Sequence, residues 1–235
     1  MCVLCWHRLP RVPGPGCRRC GEPRSWPVGT DPEWREEVGE AGADARRSLQ
    51  THCPSCDGWP ETLRAAAAPF AFEGPAARLV KALKYGRWRK LARPMGDAMA
   101  DSAKRLAEGS EPLLVPVPLS AARERERGFN QAELLARALA SRTGWPWLQV
   151  LERRPGGRRQ ARLARHARSE NVRELFGALH VGDTSSDILV VDDVLTTGAT
   201  ARACAETLHE AGFARVSVVT FARTLRPLEI MDDAA

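Results

Sequence analysis

Four branched aliphatic residues in succession, Ile188-Leu189-Val190-Val191, replace the usual alternation of apolar and polar positions. Such a run predicts a strand buried on both faces, the kind found inside a parallel sheet. It meets two acids and then a hydroxyl- and glycine-containing turn, Asp192-Asp193-Val194-Leu195-Thr196-Thr197-Gly198-Ala199-Thr200. From Ala199 the pattern becomes helical through Ala203, Leu208 and Ala211, and Gly212 predicts the stop. The unit reads strand, loop, helix. Buried-strand character recurs over 113–118, which breaks at Pro116 and Pro118, and over 216–221. Phe70 and Phe72 predict a strand over 66–72, ended by Glu73-Gly74-Pro75. Leu79, Val80 and Leu83 mark one helix. Leu91, Met95, Met99 and Leu106 mark a second, with Pro94 near its start, and Leu134, Leu135, Ala138 and Leu139 mark a third running from Gln131 to about Arg142. Strands alternating with helices predict an α/β fold with a Rossmann-like parallel sheet, and the loops after Pro118 and Asp193 should open on one edge of it.

That edge suits an anion. Backbone N–H groups and the positive end of a helix dipole converge on 196–200, and Gly198 lets a phosphate approach closely. Adjacent carboxylates would repel a bare phosphate, so Asp192 and Asp193 need their own reason. Carboxylates accept hydrogen bonds, and a ribose with its 5-phosphate in the loop would offer vicinal hydroxyls to them, or the pair would help carry a magnesium ion. A Walker B strand also ends in acids, but no G-x-x-x-x-G-K-[ST] occurs in the chain. A receiver domain would need more chain after its acidic pair than remains beyond Asp192. A plain buried strand with Thr196 or Thr197 as helix cap leaves the two acids unexplained.

The stretch Val190 to Thr200 resembles the phosphoribosyl-pyrophosphate loop of type I phosphoribosyltransferases. Paired cysteines near the start, Leu83-Lys84-Tyr85-Gly86, Val115-Pro116-Val117-Pro118-Leu119, Arg125-Glu126-Arg127-Gly128-Phe129-Asn130-Gln131, and Gln160 with Arg168 and Asn171 follow in order. Together they resemble the ComF family of competence-associated proteins. The resemblance implies a phosphoribosyl-pyrophosphate site with magnesium. Asp192 and Asp193 would do the chemistry, and Val194, Leu195, Thr196, Thr197, Gly198, Ala199, Thr200, Arg127, Asn130, Gln131 and Arg168 would hold the ligand. It implies pentosyl transfer by a glycosyltransferase, in association with DNA uptake. The competing expectation is a non-catalytic module that binds a nucleotide or single-stranded DNA, with competence helicase-type proteins as possible partners. The stretch 153–173 holds eight arginines around Pro155-Gly156-Gly157, as a flap closing over a pyrophosphate would, and Arg162, Arg165 and Arg168 would form a stripe if helical. The turn Tyr85 to Arg89 reads as a solvated basic and aromatic loop.

The chain has 235 residues, 43% hydrophobic and 27% charged, which suits a soluble globular protein with one phosphoribosyltransferase-sized domain and a small appendage. Expected boundaries are 1–60 for the appendage, 61–228 for the larger domain and 229–235 for a tail. Neither a membrane span nor a secretory signal is visible, so a cytoplasmic location is expected. A net charge of +6 is compatible with phosphorylated ligands and requires none. Six of the seven cysteines form three Cys-x-x-Cys pairs, Cys2 with Cys5, Cys17 with Cys20, and Cys53 with Cys56. Two such pairs complete a tetrahedral structural zinc site, while a cytoplasmic chain disfavours disulfides. Spacing alone leaves open which four serve. Between the last two pairs, 22–52 is polar and acidic, and it suits a surface helix or disorder about equally. Cys204 reads as a small core residue.

Overall fold

The computed structural model describes residues 6–14, 16–23, 53–154, 175–179 and 186–225. Strand β1 (Leu63–Ala67) and the short β2 (Phe70–Ala71) lead into helix α1 (Gly74–Tyr85), a 3-10 turn (Arg89–Leu91) and helix α2 (Ala92–Ala107). Strand β3 (Leu113–Pro116) precedes α3 (Ala121–Arg127) and α4 (Gln131–Thr143). A separate antiparallel pair, β4 (Leu151–Arg153) and β5 (Phe176–Ala178), comes next, followed by β6 (Asp187–Leu195), α5 (Ala199–Glu210) and β7 (Arg215–Arg223).

The main sheet has the order β1-β7-β6-β3, with β2 also beside β7, and every pairing in it is parallel. The uninterrupted aliphatic run explains why β6 lies inside: Ile188, Leu189, Val190 and Val191 are each no more than 1% exposed. Leu189 and Val191 pack with α1, α2 and α4 through Leu83, Met95, Met99, Leu135 and Leu139. Ile188 and Val190 pack with α5 through Cys204 and Leu208, and with the cysteine segment through Trp59. Each such aliphatic side chain contributes roughly 1.5–3 kcal/mol of burial. Gly96 permits α2 and α4 to meet closely, since a Cβ there would stand 2.5 Å from Ala138 Cβ.

Helix ends follow local chemistry. Asn130 caps α4 by accepting from Ala132 N–H at 3.0 Å. At the end of α5, Gly212 has φ 95°, Gly212 N–H donates to His209 O, and Phe213 N–H donates to Leu208 O, the paired bonds of a Schellman ending. The expected strand over 66–72 differs: pairing begins at Leu63 and is interrupted before Phe70, where Pro69 has no N–H to give. Neither α3 nor the β4–β5 pair was legible, the one being two alanines followed by five charged residues and the others three residues each.

Residues 9–14 and 16–19 run along the β1–β2 edge. Ala71 N–H donates to Pro10 O, Val12 N–H to Pro69 O and Ala66 N–H to Arg19 O, so part of the edge is covered. Buried Arg223 on β7 pairs with Glu22 and donates to Cys20 O, joining this segment to the sheet. Among the described residues no helix is long and apolar enough to cross a membrane.

Candidate functional site

The carboxyl end of β6 holds the two acids, and their surroundings differ. Asp193 is 2% exposed. Its Oδ2 lies 2.5 Å from Lys84 Nζ at the end of α1, and its Oδ1 accepts from Gln131 Nε2 at 3.1 Å. Gln131 Oε1 in turn accepts from Arg127 Nη1 at 2.9 Å. The Arg127 guanidinium lies 5.0 Å from the Tyr85 ring centroid. Arg127 is buried, and among the described residues its Nε has no hydrogen-bond partner. Asn130 stands beside this chain of contacts and donates to Val117 O at 3.0 Å. The structure therefore brings Arg127, Asn130, Gln131 and Asp193 together, with Lys84 as an added member.

Asp192 is half-buried and accepts from Asp193 N–H at 2.8 Å. It lines a small cleft with Val117, Thr196, Gly198, Thr200 and Thr220. Burial first and the Asp193 carboxylate second hold its pKa well above the usual carboxylate range, against the Asp193 N–H and Lys84. Arg153, half-buried on β4 with its guanidinium 5.4 Å from the Phe176 centroid, shares this field. Its pKa is lowered by burial and then by Arg123, against the attraction of Cys204 and Asp192. Cys204 is buried, and its thiol is raised by burial and then by Asp192.

The turn into α5 starts from Gly198, whose φ of 78° gives the left-handed conformation that glycine adopts without cost. Its side-chain cap is lacking; Thr197 Oγ1 instead accepts from Ala199 N–H at 3.4 Å. Thr196, Thr197 and Thr200 are exposed. Val194 and Leu195 belong to the strand itself, pairing with Ala222 and Arg223. Arg168, Gln160, Asn171 and the arginine stripe of 162–168 lie outside the described residues.

Cys17, Cys20, Cys53 and Cys56 are buried, with all four sulfurs within 4.8 Å of one another. Cys17 Sγ lies 3.7 Å from Cys56 Sγ, and Cys20 Sγ lies 3.6 Å from Cys53 Sγ. A tetrahedral zinc ion with bonds of about 2.3 Å holds its sulfurs about 3.8 Å apart, so the donor set fits that ion. The electrostatics point the same way. Burial opposes charge on Cys17, but N–H donors of Cys20 and Arg19 and the neighbouring thiols bring it down to about 7. Burial and the other sulfurs raise Cys20, and they push Cys56 up to about 12. Without a cation, one thiolate hinders the next. Cys2 and Cys5 lie outside the described residues. The pairing thus joins knuckles that are distant in sequence.

Lys84 and Arg153 escaped the sequence reading as site residues. Lys84 had a signal, since it falls within the Leu83 to Gly86 stretch and is one of only four lysines (Lys81, Lys84, Lys90, Lys104) in the chain. A cavity of about 920 Å3 lies elsewhere, along β1 beside Arg11, Arg64 and Arg105. It lacks the acid pair and the helix turn, so size does not decide the site.

A parallel sheet covered by helices on both faces, with an acid pair and a glycine turn into a helix at its carboxyl edge, defines the class: an α/β domain of the type I phosphoribosyltransferase kind. No family model matches the chain. The competence protein ComFC of Bacillus subtilis (strain 168) is 30% identical over 229 residues, spanning 95% of this chain and 84% of that protein. The chain belongs to the ComF family of competence proteins. The DNA utilization protein YhgH of Salmonella typhimurium is 32% identical over 157 residues, 64% of this chain and 68% of its own. Among solved structures, the glutamine phosphoribosylpyrophosphate amidotransferase from B. subtilis is 22% identical with a TM-score of 0.37, covering 55% of this chain and 26% of that one.

Proposed function

We propose that this chain binds phosphoribosyl pyrophosphate, or a related ribose 5-phosphate ligand, at the cleft of Asp192 and residues 196–200. The observation that carries the reading is the unequal treatment of the two acids. Asp193 is spent on Lys84 and Gln131, which fixes the end of β6 and the start of α4. Asp192 lines the cleft beside the turn, ionises against the preference of its surroundings, and gains from a ligand that supplies hydroxyl donors or a cation. A strand end that served only folding would have no use for such a carboxylate.

The roles then follow. Backbone N–H groups of 196–200 and the start of α5 receive the 5-phosphate. Asp192 accepts from the ribose hydroxyls. Arg127, whose buried Nε–H has no partner among the described residues, and Arg153 would meet the diphosphate with guanidinium groups suited to bidentate phosphate bonds. Magnesium, when bound, would be held by Asp192 and the ligand's own oxygens, and it would offset charge on the departing diphosphate. In pentosyl transfer the bond from the anomeric carbon to the pyrophosphate oxygen breaks, and a bond to the acceptor forms. The acceptor is not identified by these residues.

The named relatives are competence and DNA utilization proteins, and we place this chain in the same setting, the handling of incoming DNA. The second reading is a module that keeps the ribose-phosphate site for binding without transfer. Titration with magnesium phosphoribosyl pyrophosphate, followed by assay of pyrophosphate release with a panel of bases, separates the two. Binding without release selects the module, and absence of binding removes both.

A further inference from the structure

We propose that Trp59 is a positioning residue that joins the four-cysteine cluster to the turn at Gly198, so that an occupied cluster holds the turn in its ligand-ready shape. This rests on the reading of 196–200 as the phosphate-binding turn.

Trp59 follows the second knuckle by three residues, and its N–H donates to Cys56 O at 3.2 Å. It is 7% exposed. The other knuckle grips the same segment from the opposite side. Arg19, between Cys17 and Cys20, donates through Nη2 to Trp59 O at 3.1 Å, to Pro60 O at 2.7 Å and to Leu63 O at 3.1 Å. Its guanidinium lies 5.9 Å from the indole centroid. Both knuckles therefore fix where the indole lies. The indole in turn lies against the turn, because a Cβ added at Gly198 would come within 2.9 Å of its Cζ2 and 3.1 Å of its Nε1.

Gly198 needs this support. It has φ 78° and begins α5 without a side-chain cap, while its flanking threonines are exposed. Its carbonyl accepts from Arg202 N–H at 2.9 Å, which fixes one side of the peptide; a glycine still has more conformations to lose than other residues when a phosphate binds. A rigid indole pressed against it removes some of that loss beforehand, which raises affinity without touching the ligand. Glycine at 198 is thus required twice, by its backbone conformation and by the ring against it. The cluster that sets the ring is buried in the same apolar body as α5, so loosening it loosens the wall against which the turn rests.

The test compares parent, Trp59→Phe and Trp59→Leu proteins with zinc bound. Peptide-level hydrogen exchange over 195–203 reads the turn itself, and calorimetric titration with ribose 5-phosphate reads its use. Trp59→Leu should speed exchange in that peptide while leaving the β7 peptide unchanged, and weaken ribose 5-phosphate binding about tenfold, the size of the ordering cost of one backbone residue. Trp59→Phe, which keeps a flat ring, should recover most of both effects. Chelation of the parent's metal should reproduce the Trp59→Leu exchange pattern with the circular dichroism of the sheet retained. Unchanged exchange over 195–203 in both the Leu variant and the chelated parent would overturn the coupling, whatever the ligand does. A parent that shows no ribose 5-phosphate binding would instead strike the reading of the turn, with the coupling still judged by exchange.

Discussion

Lys84 Nζ lies 2.5 Å from Asp193 Oδ2, joining the last turn of α1 to the carboxyl end of β6. The acid is 3% exposed and the lysine 22% exposed at the side chain, so the pair sits where removal of one partner strands the other. Lys84→Ala should cost roughly 2–4 kcal/mol of stability by leaving an uncompensated buried carboxylate. Asp193→Asn should cost less, because the amide still pairs with Gln131. Urea unfolding of both variants checks the order. Equal and small losses would mean that the pair is a surface contact.

Asp192 behaves oppositely. Its pKa in the folded protein is raised, so the native state holds its proton more tightly than the unfolded chain does. Stability therefore falls as pH rises from the unfolded value, about 3.9, through the folded one, and below the unfolded value no penalty remains. Asp192→Asn removes the ionising group. It should stabilise the protein at pH 8, and the gain should vanish as pH falls below about 4. Thermal melts of parent and variant across that range test the sign, and a loss of stability at pH 8 would show that the carboxylate is structural.

The protein should carry one zinc ion per chain, held by Cys17, Cys20, Cys53 and Cys56. Cys17→Ser and Cys56→Ser should lose the metal, whereas Cys2→Ser and Cys5→Ser should keep it. Metal analysis of reductively purified protein decides this, and zinc lost with Cys2 would point to a different ligand set. Acidification should release the ion as thiolates take up protons.

Arg127→Ala should weaken binding of magnesium phosphoribosyl pyrophosphate by about tenfold or more, as expected when a charge-assisted bond of roughly 1.5–3 kcal/mol is lost. Arg127→Lys should recover little, since a point charge cannot replace the planar fork that bonds Gln131 and lies over Tyr85. Full recovery by lysine would reduce the role of Arg127 to charge alone.

The parts of this architecture that depend on local pattern were legible from the chain. The run from Ile188 to Val191 announced a strand inside a parallel sheet because only a doubly covered strand tolerates unbroken aliphatics. Gly212 announced the end of α5 because a left-handed residue is needed there. The acids were legible as a pair but not as unequal partners. Their difference arises from Lys84 and Gln131, which are 109 and 62 positions away from Asp193, and such tertiary pairing leaves no periodic trace. The choice among cysteine pairs was hidden for the same reason: spacing left Cys2 with Cys5 and Cys53 with Cys56 both open as partners, and the structure joins Cys17 and Cys20 to Cys53 and Cys56. Trp59 gave no signal, because its role depends on a neighbour beyond one hundred residues' separation.

Asp192 and the turn from Thr196 to Thr200 are the proposed ribose-phosphate site. Calorimetric titration of magnesium phosphoribosyl pyrophosphate into the parent and into Asp192→Asn tests it most directly, with a melt of each sample alongside. Such a site predicts saturable magnesium-dependent binding by the parent, and loss of that binding in a variant that melts no lower at neutral pH. Equal affinity in the two proteins, or no binding by the zinc-loaded parent, would contradict it.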